Sequence, residues 1–384
     1  VKELRWAKAK PFNPLSPPQV LAYLRSKGYK IPKDRKTRKP TTNDEALNQV
    51  LRNVRDPLLE LVLEARGLSK ALGYLNDKAI GQDGKFHPIY TFKPETGRLS
   101  SVRPNMQNVP KGGVDAELSR AIRSCIIPSG AGRVLLECDW KAMEAVLTGY
   151  FAGDDEYIAA SQKDSHSWFA GYLLQAQGSI KEVPSPKTEA FDAFAAWVKK
   201  EHKDLRALAK KVNLATGYGM RAPLLASTLH CSVAEAKRYL DIKARMAPRL
   251  EAWKDATWRE AHAKGFLETP FGYRNYFSDV LVIKDGEATL GKEANEALAF
   301  RPQSSGAAML RETMLELDRY DGKLFNFLVP IHDAILVECW EKDVEEAKQV
   351  ICSVMGKPWP ELGGLVIEAD ATAGYRWSDM EEVD

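Results

Sequence analysis

The sequence predicts an α+β fold in which one sheet is assembled from two strand-rich stretches, with a long helical block inserted between them. Three observations carry this expectation. Over residues 79–136, short apolar runs such as 86–92 and 133–138 alternate with Gly, Pro and polar turns. From about residue 141 to 265 the texture is helical instead. Strand texture then returns at 326–338 and 364–370. If the flanking strands share one sheet, the helical block protrudes from it.

Taken in order, helices are expected over 17–28 and 44–75, where Leu47, Val50, Leu51, Leu58, Leu61, Val62 and Ala65 recur at three- and four-residue spacing. Ser16 and Asn43 are suitable caps for them. After the helical block come a hairpin-like stretch at 266–283, a helix across 288–318, and a last helix near 343–355 between the final strands.

Composition narrows the class. The chain has 384 residues, of which 44% are apolar and 28% charged, so it is long and hydrophobic enough for two or three packed subdomains and unlike a disordered or fibrous chain. No apolar run reaches membrane-spanning length, and the first residues lack a secretory pattern. The five cysteines, Cys125, Cys138, Cys231, Cys339 and Cys352, are scattered and form no C-x-x-C pair; they argue against a disulfide framework or structural zinc and for a reducing compartment, the expected one being cytoplasmic with an organellar origin left open. Charge is polarised: residues 1–40 hold twelve Lys/Arg against two acidic residues, and residues 335–384 hold four against twelve. The basic peak at 33–39 would attract a polyanion, nucleic acid being the natural candidate.

Two acidic residues stand at strand tips. Asp139 ends the apolar strand around 134–136, and Asp333 sits with His332 at the turn between apolar runs 327–331 and 334–337. Were these strands neighbours, the two carboxylates would form an oxygen site suited to Mg²⁺, which prefers few protein ligands and takes phosphate oxygens for the rest. Two ions so held stabilise the attacking and leaving oxygens of an in-line phosphoryl transfer. Between them, Arg206, Lys210, Leu214 and Tyr218 follow at four-residue steps, each advancing about 40° beyond a full helical turn. The resulting stripe of cation, cation, apolar and aromatic side chains fits a nucleoside triphosphate laid along it.

The motifs now resemble a known family. Thr96-Gly97-Arg98-Leu99-Ser100-Ser101 followed by Pro104-Asn105-Met106-Gln107-Asn108-Val109-Pro110 resembles the signature that precedes the first catalytic motif of family A (DNA polymerase I-like) DNA polymerases. Asp139-Trp140-Lys141-Ala142-Met143-Glu144 resembles motif A, Arg206-x₃-Lys210-x₇-Tyr218-Gly219 motif B, and His332-Asp333 motif C, in the family's order. The resemblance implies a right-hand polymerase fold: thumb remnant and connection over 1–75, palm over 76–150 and 291–384, helical fingers over 151–290. It implies template-directed addition of deoxynucleotides to a primer 3′ end during replication, with release of pyrophosphate. Asp139, Asp333 and the backbone carbonyl of Trp140 would hold two Mg²⁺ ions. Arg206, Lys210 and His166 would bind the triphosphate, Lys210 also protonating the leaving pyrophosphate. Leu214 and Tyr218 would pack on sugar and base, Glu144 would exclude a ribose 2′-hydroxyl, and Arg98, Asn105, Gln107, Gln303 and His332 would contact primer-template DNA, the minor groove included.

The chain departs from the family pattern at Ala334, where motif C usually has a second acidic residue, and at Leu214, where motif B usually has an aromatic one. Both departures are similar to phage-encoded members. About twenty residues beyond the family's usual length separate His166 from Arg206, an elaborated fingers loop. The helix-turn-helix texture at 224–236 is expected to belong to the fingers. The start at Val1 and the short thumb suggest a fragment or one chain of a split enzyme, with an exonuclease domain as a further partner. Two rivals stay open: a single-subunit RNA polymerase, and a catalytically dead DNA-binding module.

Overall fold

A computed structural model describes residues 11–34, 37–73, 80–109, 116–217, 219–284 and 286–383. Its contacts divide into two units, residues 1–89 with 103–123, and residues 90–102 with 124–384.

The first unit is built on helices α1 (Pro17–Ser26), α2 (Asp44–Leu51) and α3 (Pro57–Leu72). Val20, Leu24, Leu47, Val50, Leu59 and Val62 form its core, the inner faces of all three. The helix expected over 44–75 is therefore two helices. Asp56 is the reason: its carboxylate accepts the Leu58 and Leu59 backbone N–H groups, and Pro57 starts the new helix where a missing N–H costs nothing. Burial works against the Asp56 anion, but the phenols of Tyr23 and Tyr29 both donate to it at 2.9 Å and bring its pKa below the ordinary value. Asn43 does cap α2, accepting from the Ala46 N–H, whereas the Ser16 side chain makes no cap bond to α1.

The strands β1 (Ile89–Thr91) and β2 (Ser100–Val102) form a two-stranded ribbon, and α4 (Ala116–Ser124) follows. The second unit centres on a sheet containing β3 (Arg133–Trp140). Leading away from β3 are α5 (Met143–Ala152), α6 (Asp155–Lys163), α7 (Ser165–Ala176), α8 (Ala190–Glu201), α9 (Lys203–Thr216), α10 (Ala222–Leu229), α11 (Val233–Met246) and α12 (Pro248–Lys264). Two hairpins come next, β4 (Phe266–Glu268) with β5 (Arg274–Tyr276), and β6 (Leu281–Lys284) with β7 (Glu287–Leu290). The long α13 (Ala294–Leu317) precedes β8 (Phe325–Ile331), β9 (Ala334–Trp340), α14 (Val344–Met355), β10 (Ala369–Gly374) and β11 (Glu381–Glu382). The helix expected from 288 thus begins at 294, because 287–290 pairs as a strand with 281–284. The strand expected at 364–370 lies at 369–374, because Leu365 is engaged in a bridge to Trp359.

The main sheet is antiparallel, in the order β11-β10-β3-β9-β8. Its centre, β3 against β9, joins stretches nearly two hundred residues apart, and the helical block α5–α12 is the insertion between them. Val134, Leu135, Leu136 and Cys138 of β3 and Ala334 to Cys339 of β9 are buried, as continuous runs on a doubly covered sheet should be. α5, α13 and α14 supply apolar side chains to that core. A second core, with Trp168, Phe169, Phe191, Val198, Val212 and Leu250 among its members, holds the helical block together.

Candidate active site

The two acidic tips arrive side by side because of strand register. Asp139 pairs directly with Ala334, so Asp333 is one residue from its cross-strand partner. Directly opposed residues in an antiparallel pair lie about 5 Å apart. Asp333 occupies the two-residue turn between Ile331 and Ala334, and the turn's first residue, His332, takes the left-handed φ of 56° that tight hairpins need. His332 is exposed, while Asp333 and Asp139 are half-buried. Burial pushes the Asp333 carboxyl above its ordinary pKa; Arg98 and His332 oppose the shift and Glu144 reinforces it.

Beyond Asp139 the chain passes through Ala142, at φ 49°, into α5, whose first turn carries Glu144. Glu144 is held from two sides. Arg98 Nη2 donates to Oε2 at 2.5 Å and Gln303 Nε2 donates to Oε1 at 3.1 Å. Each donor is itself positioned. Arg311 of α13 donates from Nη1 to the Gly97 carbonyl at 2.5 Å, pinning the loop that bears Arg98. Gln303 is brought near by the crossing of α13 over α5, which is tight: a Cβ on Gly306 would lie 2.5 Å from Met143 Cε. Glycine serves contact there rather than φ, and a larger residue would push the end of the flexible Met143 side chain aside.

Across from these carboxylates lie α7 and α9. Asp164 caps α7, accepting the Ser167 N–H at 3.0 Å and the Ser167 hydroxyl at 2.7 Å. Arg206, near the start of α9, forks onto the same carboxylate, Nε to Oδ2 at 3.1 Å and Nη2 to Oδ1 at 3.0 Å. Nη1 takes no part in that fork. Burial would raise the Asp164 pKa, but Arg206 and Ser167 outweigh it and hold it at about 2. A carboxylate depressed in the fold contributes stability that is complete above its unfolded pKa and is lost as pH falls through the folded one. Wild type should therefore lose about 2 kcal/mol relative to Asp164→Asn between roughly pH 4 and pH 2, measured by urea unfolding. A constant difference across that window would refute the pairing.

Asn213, two turns along α9, donates from Nδ2 to the Ser165 carbonyl at 3.1 Å and lies 3.4 Å from His166 Nδ1. Burial lowers the His166 pKa; Asp164 resists, and the charges of Arg206 and Lys210 lower it further. The imidazole is neutral at pH 7, and with Nδ1 accepting from Asn213 its proton sits on Nε2. A cleft of about 520 Å³ joins the two sides: Glu144, Asp164, His166, Lys199, Arg206, Leu214 and Asp333 all line it. Leu214 is 70% exposed there.

The structure thus brings Asp139 and Asp333 together, Arg98 and Gln303 around Glu144, and Arg206, His166 and Leu214 onto the opposite wall. Lys210 is exposed on α9 and is not part of the cleft wall, although its charge reaches His166. Trp140 is buried, its indole N–H donating to the Met355 carbonyl at 2.9 Å. Asn105 and Gln107 belong to the first unit, where Gln107 is buried within the short 3-10 turn Met106–Asn108. Tyr218 lies outside the described residues. Sequence reasoning missed Asp164 as the anchor of Arg206, though Asp164-Ser165-His166-Ser167 has the D-x-x-S spacing of an N-cap. It also missed Asn213 and Lys199, which only the packing of α7, α8 and α9 reveals.

The chain belongs to DNA polymerase family A, whose sequence model matches residues 2–379. Among its relatives is a thermostable DNA polymerase I from Thermus filiformis, 28% identical over 357 residues, 90% of this chain and 39% of that protein. DNA polymerase I from a Streptococcus pneumoniae strain is 29% identical over 337 residues, covering 85% of this chain and 35% of the relative. The chain therefore spans about two-fifths of the length of these relatives. A solved structure described as the POL domain of Pol1 from M. smegmatis in complex with DNA primer-template and dNTP superposes with a TM-score of 0.75 at 25% identity, covering 96% of this chain and 62% of that one. The antiparallel sheet and its surrounding helices match a palm, fingers and thumb architecture. Among the described residues no helix is long and apolar enough to cross a membrane.

Proposed function

We propose that this chain is the polymerase core of a template-directed DNA polymerase that extends a primer 3′ end with deoxynucleotides and releases pyrophosphate, acting in replication. One observation carries the reading: the register that sets Asp333 beside Asp139 at the edge of a cleft whose far wall carries Arg206 and His166. Residues 76–150 and 291–384 act as palm, 151–290 as fingers, and 1–75 as thumb remnant and connection. The departures at Ala334 and Leu214 favour a phage-type member working in the cytoplasm of its host.

The donor set fits Mg²⁺. It is made of hard oxygens, the carboxylates of Asp139 and Asp333, brought together by strand register, with the Trp140 carbonyl. Held by Asp139, Asp333 and the Trp140 carbonyl, two such ions would supply acidification of the primer hydroxyl and neutralisation of the phosphate charge. The protein's own residues do the rest. Arg206 is pre-aligned by Asp164 and presents Nη1 to a phosphate; His166 donates Nε2–H to another. Lys210, exposed one turn beyond Arg206 and outside the cleft wall, would swing its long side chain over the rim to reach the leaving pyrophosphate and give it a proton. Glu144, fixed by Arg98 and Gln303, fills the space a 2′-hydroxyl needs. Arg98 and Gln303 retain further N–H groups for the minor groove, Asn105 and Gln107 contact primer-template DNA, His332 contacts the primer terminus, and Tyr218 stacks on the nascent pair.

Primer extension on a defined template tests this. Deoxynucleotides with Mg²⁺ should extend the primer, ribonucleotides or chelator should not. Extension with ribonucleotides alone would revive an RNA polymerase, and binding of primer-template without any extension would revive a catalytically dead module.

A further inference from the structure

We propose that Lys199, on α8, is a nucleotide-binding residue that grips the terminal phosphate of the incoming nucleoside triphosphate and gives the site its preference for triphosphate over diphosphate. This rests on the polymerase reading above and adds a group that the motif resemblance does not contain.

The placement of Lys199 is fixed by its helix. Phe191, Ala195 and Val198 occupy the buried stripe of α8 and pack into the core of the helical block. Asp192, in the first turn of α8, bonds Lys163 of α6 at 2.9 Å, and at the far end the rings of Trp197 and His202 meet edge to face at 4.5 Å. Lys199 therefore leaves a well-anchored backbone and reaches the cleft wall that also bears Arg206 and His166.

Three cations line that wall, and they differ in how far their bonding is already used. Lys163 is matched by Asp192, and Arg206 is matched by the two-point fork on Asp164. Lys199 lies 3.4 Å from Asp164 Oδ2, an oxygen that already accepts from Arg206 Nε and from the Ser167 hydroxyl. Its contact is a long third claim on one atom, and the side chain is 55% exposed. An ammonium with three donors and one weak partner is the group on this wall most ready to bind an added anion. Asp333 lies at the other side of the cleft, where it and Asp139 would meet the reacting phosphate through the divalent ions they would hold, which leaves the cationic wall to the phosphates farthest from it. Asp164 then has a second role: it holds Lys199 in reach without neutralising it fully.

Single-nucleotide incorporation by the full chain tests the proposal, with the inhibition constant of the matching deoxynucleoside diphosphate measured in parallel. Lys199→Ala should raise KM for the triphosphate about 5- to 10-fold, the worth of one charge-assisted hydrogen bond at a half-exposed position, with kcat within about 2-fold. The diphosphate's inhibition constant should be unchanged, and Lys199→Arg should restore the triphosphate KM. Lys200→Ala, removing a neighbouring solvent-facing charge, should act like wild type. An unchanged KM in Lys199→Ala overturns the proposal. Equal losses for triphosphate and diphosphate would make Lys199 a brace for Asp164, and an equal effect from Lys200→Ala would make it bulk charge; both overturn it too. A wild-type chain that extends no primer would instead strike down the polymerase reading, and this inference with it.

Discussion

Asp333→Asn should lower primer extension by on the order of 10³-fold while leaving affinity for primer-template DNA within a few-fold of wild type. The substitution is nearly isosteric, and the hairpin turn depends on His332 holding the left-handed conformation, so the tip geometry should persist. What is lost is a charge. Asp333 is half-buried, and the carboxyl there already resists ionisation because of that burial and the nearby Glu144. A site that keeps an anion under such strain is suited to a cation, and a neutral amide offers one carbonyl oxygen in place of a charged pair. Ala334 sharpens the expectation, because the position after Asp333 offers no second carboxylate to compensate. Single-turnover extension at saturating nucleotide and DNA measures the effect. A variant with wild-type rate would mean that Asp333 holds nothing the chemistry requires, and the two-carboxylate site would have to be abandoned.

How much of this was legible in the sequence depends on the range of the interaction. Local chemistry read well: Asn43 as a cap, the apolar run ending at Asp139, and the His332-Asp333 turn all follow from a few adjacent residues. Boundaries failed where a local competitor was overlooked. Asp56-Pro57 cuts one expected helix into two, and a short hairpin takes the residues expected to start α13. The pairing of β3 with β9 is beyond periodicity altogether, since the strands are separated by the whole helical block; motif order, through the family resemblance, gave Asp139 and Asp333 a shared role before their register was known. The fork of Arg206 on Asp164 shows the remaining limit. A helical stripe of Arg206, Lys210 and Leu214 can be drawn from spacing alone, but which cation faces the cleft is set by the carboxylate opposite, forty-two residues earlier. Spacing treats Arg206 and Lys210 alike; tertiary packing does not.

Glu144→Ala should raise incorporation of ribonucleotides relative to deoxynucleotides by about 100-fold, with a smaller loss in deoxynucleotide incorporation. The reasoning is steric. Glu144 is held in place from two sides, Arg98 on one carboxylate oxygen and Gln303 on the other, and its helix packs closely on α13 at Gly306. Forcing an additional hydroxyl into a packed site costs about 1–3 kcal/mol, and removing the obstructing side chain returns that amount as lost discrimination. Destabilisation should stay near 1 kcal/mol, since both members of the Arg98–Glu144 pair are about one-third exposed and the freed guanidinium can turn to water. Glu144→Gln separates volume from charge. It keeps the bulk of the side chain and an acceptor for one donor, so it should retain most of the exclusion while weakening the hold of Arg98. If the glutamine variant admits ribonucleotides as freely as the alanine variant, the carboxylate acts through its charge; if neither changes the ratio, the sugar is selected elsewhere, with Leu214 on the opposite wall the next residue to vary.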